Sequence, residues 1–353
     1  MIRRFLVPFA LVTALLALGC NKDDPPQPEP AKAASCQVTV LFSPGQLGDK
    51  GYSDSIMEGL NYIDSYDNEF GGDSLDVTFL TPSDMEDSHR SVVQWAKSPA
   101  RSFAEGEYQR RLLVLTEPMM EELLPDIQSL LRPNDEIVFM KLLEEDVEQI
   151  SERYSLENRI HGLTVLATGA ARRYCQEILR WKNEYEGYLP GIIQIPVYRL
   201  YDPLSYSYRD GIIETMQQEL GEDFSFYQIG LSDMSGAQTF SYYSAMSMVE
   251  AAFDSAKVAK YVTEISGVPY VIVDLGAGNA GWDYFLMSES FADLTIQTLM
   301  LDAKDNARLS RHFIDRNFGL ALSEWVFDWV KSPVGSMPVQ TTHDDENYYD
   351  TNI

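Results

Sequence analysis

Cysteine and histidine are both scarce in this 353-residue chain, with three of the first and four of the second. His89, His161, His312 and His343 are scattered without ligand spacing and no paired-cysteine signature accompanies them, so no metal site is expected. Neither a G-x-S-x-G elbow nor an H-E-x-x-H motif occurs, which removes the usual sequence signals of a serine hydrolase or a zinc protease. Positive charge is in short supply too. Lysine and arginine total 27 against 54 acids, for a formal charge of −27. So acidic a surface repels nucleic acid and anionic lipid, and no basic run offsets it, so a nucleic-acid partner is excluded. Acidic pairs are only as frequent as this charge demands and carry no catalytic signal. No catalytic residue or cofactor is assigned, and a non-enzymatic role is expected. The chain also lacks an internal repeat of fixed period.

What is present begins at the amino terminus. Arg3 and Arg4 form a short basic start, and Leu6 to Leu18 is apolar apart from Pro8 and Thr13. This run is too short for a hydrocarbon core that needs about 20 residues. It closes on Leu18-Gly19-Cys20, the layout of a secretory signal peptide, so residues 1–19 are expected to be removed. Leu16-Ala17-Leu18-Gly19-Cys20 also resembles the lipobox of bacterial lipoproteins. That resemblance implies lipid on Cys20 and a membrane anchor through it. Residues 20–35 follow as a linker: Pro25, Pro26, Pro28 and Pro30 among charged and small residues cannot build a core. Lys22-Asp23-Asp24 resembles the export signal of Bacteroidetes surface lipoproteins, which implies an outer-membrane, surface-exposed location. It reads equally well as an ordinary charged linker. Cys36 and Cys175 either pair in an oxidising envelope or stay as buried thiols, and the thiol reading is preferred because sequence does not show their Cα atoms within bonding range.

Beyond the linker, short apolar runs alternate with helical patterns. Strands are expected at Gln37–Ser43, Leu75–Leu80, Arg111–Thr116, Asp135–Leu142, His161–Thr168, Gly191–Arg199, Ser225–Leu231, Val268–Leu275 and Leu294–Leu301. Helices are expected at Ser53–Tyr66, Pro118–Leu131, Ala170–Tyr185, Tyr206–Leu220, Phe240–Ala259 and Lys304–Val330. Alternating β and α elements argue for parallel sheets with helices on both faces. The fold class expected is α/β, and the strands suit one large sheet or two smaller ones. A polar stretch from Glu184 to Pro190 suggests a crossover. Residues 36–186 plus about 296–331 are therefore assigned to an amino-terminal lobe and 187–295 to a carboxyl-terminal lobe. Residues 332–353, with two prolines and the acidic run His343-Asp344-Asp345-Glu346, are expected to be a disordered tail.

The first βα junction runs Phe42-Ser43-Pro44-Gly45-Gln46-Leu47-Gly48-Asp49-Lys50-Gly51-Tyr52-Ser53-Asp54-Ser55-Ile56-Met57-Glu58-Gly59-Leu60. A glycine-bearing loop that enters a helix turns free backbone N–H groups outward. Asp49 is a candidate cap, and Ser55 with Glu58 a candidate capping box. The segment resembles the signature of the basic-membrane-protein family, nucleoside-binding lipoproteins of the type I periplasmic-binding fold. Gly48, Asp49, Lys50, Ser55, Glu58, Gly59 and Leu60 match that signature, Tyr52 stands for a phenylalanine, Gly51 for a serine and Ser53 for an asparagine that helps read the ligand. The resemblance implies two doubly wound parallel-sheet lobes with a hinge. It implies a small ligand, by default a purine nucleoside, held in an interlobe cleft and passed to a transporter. It implies ligand contacts at Ser43, Asp49, Tyr52 and Ser53. By strand order it adds Glu117 after the third strand and Asp274 at the end of a late one, where a carboxylate accepts from adjacent hydroxyls.

A second glycine motif, Gly276-Ala277-Gly278-Asn279-Ala280-Gly281, follows the strand ending at Leu275. It has the spacing of a dinucleotide loop, but that loop should open its unit and be followed by several βα units, whereas one strand and one helical stretch follow here. Backbone approach to a ligand suits it better, which adds Asn279 and the nearby Trp282 as candidate contacts. A further aromatic for a flat ligand is sought in the loop from Tyr201 to Tyr208. A different class stays open, a surface interaction lipoprotein that keeps the fold but not the nucleoside site and meets an outer-membrane or host partner. A hydrolase acting on a nucleoside or glycan is the weakest reading.

Overall fold

The computed structural model describes residues 36–44, 47–48, 51–64, 75–98, 110–184, 192–195, 212–221, 226–228, 271–274, 297–301, 312–344 and 348–350. Cys20 and the leader lie outside them.

The first sheet is built from runs that are apolar on both faces. Strands β1 (Cys36–Leu41), β2 (Leu75–Leu80), β3 (Arg110–Leu115), β4 (Asp135–Met140) and β5 (Ile160–Leu166) pair in parallel, in the order β5-β4-β3-β1-β2. Every residue of β3 and β4 is buried, as expected of a sheet covered on both sides. Alternate residues feed two cores. On one face Val38, Leu112, Val114 and Val138 meet helices α1 (Tyr52–Asp64) and α7 (Phe318–Lys331). On the other, Leu113, Leu115, Ile137 and Phe139 meet α2 (Met85–Lys97), α4 (Glu144–Tyr154) and the segment after β3. That segment was expected to be one helix from Pro118 to Leu131. It is a 3-10 helix, Pro118–Leu123, followed by the single turn α3, Leu124–Ile127. Pro125 has no N–H to continue a regular ladder, which accounts for the break.

The second sheet contains β6 (Ile192–Ile195), β7 (Phe226–Gln228), β8 (Val271–Asp274), β9 (Gln297–Leu301) and β10 (His312–Ile314), in the order β10-β9-β8-β6-β7, all parallel. Helices α5 (Thr168–Glu184) and α6 (Ile212–Leu220) pack on each other. The order turns round at the first strand of each sheet: β1 lies between β2 and β3, and β6 between β7 and β8. That is a doubly wound topology in duplicate.

The carboxyl terminus corrects the expected boundaries. Residues 332–353 were read as a disordered tail, but β11 (Gln340–Asp344) adds in parallel to β5, and β12 (Tyr348–Asp350) pairs antiparallel with β10. Acids at Asp344 and Asp350 disguise these strands, yet an edge strand tolerates charge, and Thr341, Thr342, Tyr348 and Tyr349 favour extended backbone. The stretch from about 296 was assigned to the first lobe, but β9 and β10 hydrogen-bond in the second sheet and only α7 returns. Lys304–Val330 is accordingly not one helix. Asn317, at φ 46°, accepts from the Leu320 N–H and caps α7 there. Helix α5, placed in the first lobe by the boundary at 186, contacts α6 and β12 instead. Among the described residues the chain passes between the sheets three times, after β5, after β10 and after β11.

Two close contacts hold the first unit. At Gly319 an added Cβ would lie 1.9 Å from the Ser55 carbonyl oxygen, and at Gly59 2.3 Å from that of Gly319, so α1 and α7 approach backbone to backbone. At the amino end of the sheet the buried Glu136 accepts from Arg110 Nη2 and Trp329 Nε1, both at 2.7 Å, and from the Gly335 N–H at 3.1 Å. His161 Nε2 lies 3.4 Å from the other oxygen. Cys36 and Cys175 are buried thiols, as preferred, and form no disulfide. Burial, helped by the charge of Glu219, pushes the Cys175 thiol up to about 12.

Burial pushes the Glu136 carboxyl up, but hydrogen bonds from His161, Arg110 and Trp329, with the Arg110 charge, outweigh it and hold it at about 2 against an ordinary 4.5. A carboxyl lowered on folding adds stability that is complete above its unfolded value and is lost as pH falls towards the folded one. The gap corresponds to about 3 kcal/mol. Unfolding free energies in urea should therefore fall less steeply for Glu136→Gln than for the native chain between about pH 5 and pH 2.5. Equal slopes would uncouple this carboxylate from folding.

Candidate functional site at the carboxyl ends of the strands

In a doubly wound sheet the crevice opens where strand order reverses, at the carboxyl ends of the two strands that flank the reversal. In the first sheet those strands are β1 and β3, paired in register from Cys36↔Arg110 to Leu41↔Leu115. Ser43 follows β1 by two residues and is buried; Glu117 follows β3 by two and is fully buried. Thr116 stitches the ends together, its N–H and hydroxyl both donating to the Leu41 carbonyl, at 3.3 and 3.1 Å. In the second sheet the corresponding strands are β6 and β8, and Asp274, opposite Ile195, closes β8. Ser43, Glu117 and Asp274 thus each stand at the reversal point of their own sheet. Asp49, Asn279, Trp282 and the Tyr201–Tyr208 loop lie outside the described residues.

Lys141, which sequence reasoning passed over, shares this edge. It is the first residue after β4, buried, and sits at φ 65°. A side chain with a Cβ pays about 1–2 kcal/mol for left-handed backbone. The turn is held by the Lys141 N–H, which donates to the Leu163 carbonyl at 2.9 Å. Its ammonium lies 3.0 Å from Glu117 Oε1 and 3.5 Å above the centre of the Tyr52 ring. The sequence carried a signal here: Lys141 lies between Met140 and Leu142 after the apolar run Ile137–Met140, and the β3–β4 register sets it opposite Glu117.

Tyr52 was expected to stack on a ligand. It is fully buried at the start of α1, its hydroxyl donating to the Thr116 carbonyl at 2.6 Å. Lys141 covers its ring, and Phe318 meets it edge to face at 4.8 Å. Beyond Phe318 stands the buried Arg316, 5.0 Å from that ring, on the passage from β10 to α7. A continuous series of cation, ring, ring, cation and carboxylate therefore joins the second passage between the sheets to the reversal point of the first. Tyr52 belongs to this packed series and not to the exposed wall of a crevice. Ser53 is fully buried beside it.

The expected caps also differ. Helix α1 starts at Tyr52, so Ser55 lies inside it, donating to the Tyr52 carbonyl at 2.9 Å instead of forming a capping box. Asp54 Oδ1 accepts from the Gly48 N–H at 2.8 Å and ties the glycine turn, at φ 88°, back onto the helix. The first and third passages between sheets are joined as well. The Thr168 N–H donates to Asp344 Oδ1 at 3.0 Å, and its hydroxyl donates to the second oxygen.

Solved structures share this architecture. A periplasmic solute-binding protein of an ABC transporter from Actinobacillus succinogenes, with bound D-allose, superposes at a TM-score of 0.57, with 11% identity over 89% of this chain and 97% of that one. A solute-binding protein from Burkholderia graminis in complex with D-arabinose gives 0.53, with 9% identity over 89% and 94%. A glucose-galactose binding protein from Geobacillus stearothermophilus gives 0.52, with 11% identity over 90% and 97%. The chain has the type I periplasmic-binding fold. No protein-family model matches it, and no curated protein matches it in sequence.

Breaking a buried ion pair by removing one partner costs about 3–5 kcal/mol, because the other charge stays buried alone. Lys141→Met should lower unfolding free energy by about that much, and adding Glu117→Gln should recover most of the loss. A double variant no more stable than Lys141→Met, by denaturant titration, would show that the two charges do not depend on each other.

Proposed function

We propose that this chain is a non-catalytic solute-binding lipoprotein whose two lobes close over a small polar ligand. One observation carries the reading: Ser43 and Glu117 in the first sheet and Asp274 in the second all stand where strand order reverses, the place at which open α/β sheets take ligands. Carboxylates suit a ligand with neighbouring hydroxyls: Asp274 has two oxygens with which to accept, while Glu117, its Oε1 held by Lys141, acts through Oε2. The ribose of a nucleoside and a free sugar both present that chemistry. The likeness of residues 48–60 to the nucleoside-binding signature favours a purine nucleoside. The allose, arabinose and glucose-galactose proteins of the same fold favour a sugar. The mechanism is hinge closure about the three passages between sheets, with Thr168 and Asp344 keeping two of them in step. Asn279 and Trp282 complete the proposed contacts, and Tyr52 acts by fixing the reversal point instead of stacking on the ligand. Transfer to a membrane transporter would follow.

A second reading, a surface interaction lipoprotein with no working cleft, is favoured by the same Tyr52. The signature's aromatic is packed inside the first lobe, and Ser53 replaces the ligand-reading asparagine. Protease shaving of intact cells separates the two, since a periplasmic receptor is spared.

A thermal-shift screen of the purified chain against nucleosides, pentoses, hexoses and inositol tests the first reading. A ligand at 100 times its dissociation constant adds about 2.7 kcal/mol, which a melting curve resolves. A shift abolished by Asp274→Ala supports the cleft, and the class of ligand decides between nucleoside and sugar. Silence across the panel would sink the solute reading in favour of the surface one.

The proposed lipid on Cys20 has its own check. Cys20→Ala should move the protein from the membrane pellet to the soluble fraction and abolish labelling by radioactive palmitate. Unchanged pelleting would mean that something other than this lipid holds it.

A further inference from the structure

The outer face of the first unit carries a feature with no part in the solute reading. Helices α1 and α7 meet through small residues, so Ser55, Gly59 and Ser323 leave a depression of about 720 Å³ between them. Its apolar seam is Tyr62, 63% exposed, and Leu320, 52% exposed; at its margin lies the partly buried Phe327, whose ring carries the Lys331 ammonium at 3.3 Å. Lining the same groove stand the exposed carboxylates Glu58, Glu324 and Asp328, none of which forms an ion pair with a described residue. The residues repeat at helical spacing, Glu58 with Tyr62 on one wall and Leu320, Glu324 and Asp328 on the other. An apolar seam flanked by unpaired charge of one sign is how a helix groove selects an amphipathic partner.

We infer that this groove docks a basic amphipathic helix of a partner protein, with its apolar face on Tyr62 and Leu320 and its lysines or arginines against Glu58, Glu324 and Asp328. Walls of 13 and 14 residues give a groove roughly 20 Å long, enough for three to four helical turns. Charge chooses the occupant. A second copy of this chain would set carboxylates against carboxylates, and nucleic acid is repelled by the same groups.

A fluorescein-labelled peptide of two Leu-Lys-Lys-Leu-Leu-Lys-Leu repeats, titrated with the purified full chain by anisotropy, tests this. No solute is involved, so the result stands apart from the thermal-shift screen. The peptide is expected to bind, and its counterpart with glutamate for lysine is not. Glu58→Lys with Glu324→Lys, and separately Leu320→Asp, should each weaken binding by at least about tenfold. Glu148→Lys with Glu152→Lys makes the same charge change on exposed positions of α4 and should leave it within about twofold. Circular dichroism confirms that each variant is folded. Absence of binding, or equal loss in the α4 control, overturns the proposal. So does displacement by spermine with Leu320→Asp silent, which would assign the groove to free polycations.

Discussion

The carboxylate of Glu136 is the point on which the first lobe depends. It sits at the amino end of β4 with no solvent contact, and every group that neutralises it comes from a different part of the chain: Arg110 from β3, His161 from β5, Trp329 from α7 and the Gly335 backbone from the return segment. An ion buried this deeply is tolerable only when all of these partners arrive. The site therefore acts as a test of correct assembly. Satisfying it brings α7 onto the sheet and leads the chain on towards β11, and without that return the last two passages between the sheets would have no fixed starting point.

What sequence could reveal followed from how each segment earns its burial. Strands buried on both faces, such as RLLVLT and DEIVFMKL, read plainly, because a parallel sheet demands apolar runs. The alternation of such runs with helices pointed to parallel sheets, and the resemblance at residues 42–60, carried along by strand order, pointed to the edge with Ser43, Glu117 and Asp274. Elements held by their ends or their neighbours did not read so well. Helix α2 follows the cap Asp84, whose side chain accepts from the Asp87 N–H; its apolar residues, Val92, Trp95 and Ala96, do recur at helical spacing, but only in its second half, behind a charged first turn. Strands β11 and β12 are held by pairing alone and carry the acids of a solvated tail. Tyr52 looked like a ligand platform because it stands where the resembled signature carries a phenylalanine; only the packing of Lys141 and Phe318 on it shows otherwise.

That packing changes what the first lobe can be. The series from Arg316 through Phe318, Tyr52 and Lys141 to Glu117 makes the edge of the sheet stiff, since each ring is held on more than one side and Lys141 and Glu117 are held by each other. A rigid edge loses little entropy when something binds against it. It also reaches from the reversal point to the passage before α7, so movement there and geometry at the edge are not independent. The passages themselves are held by exposed side-chain hydrogen bonds such as that from Thr168 to Asp344, which spans most of the second sheet's sequence.

The two terminal strands carry a consequence for how the protein comes into being. A polypeptide is made from its amino end, and here the final stretch supplies one outer strand to each of two sheets. A nascent chain lacking only that stretch has β5 and β10 both open along one side, and an open strand edge is a template for the wrong neighbour. A chain stopped before β11 thus exposes a strand edge in both sheets at once, to any chaperone or protease that reads exposed backbone.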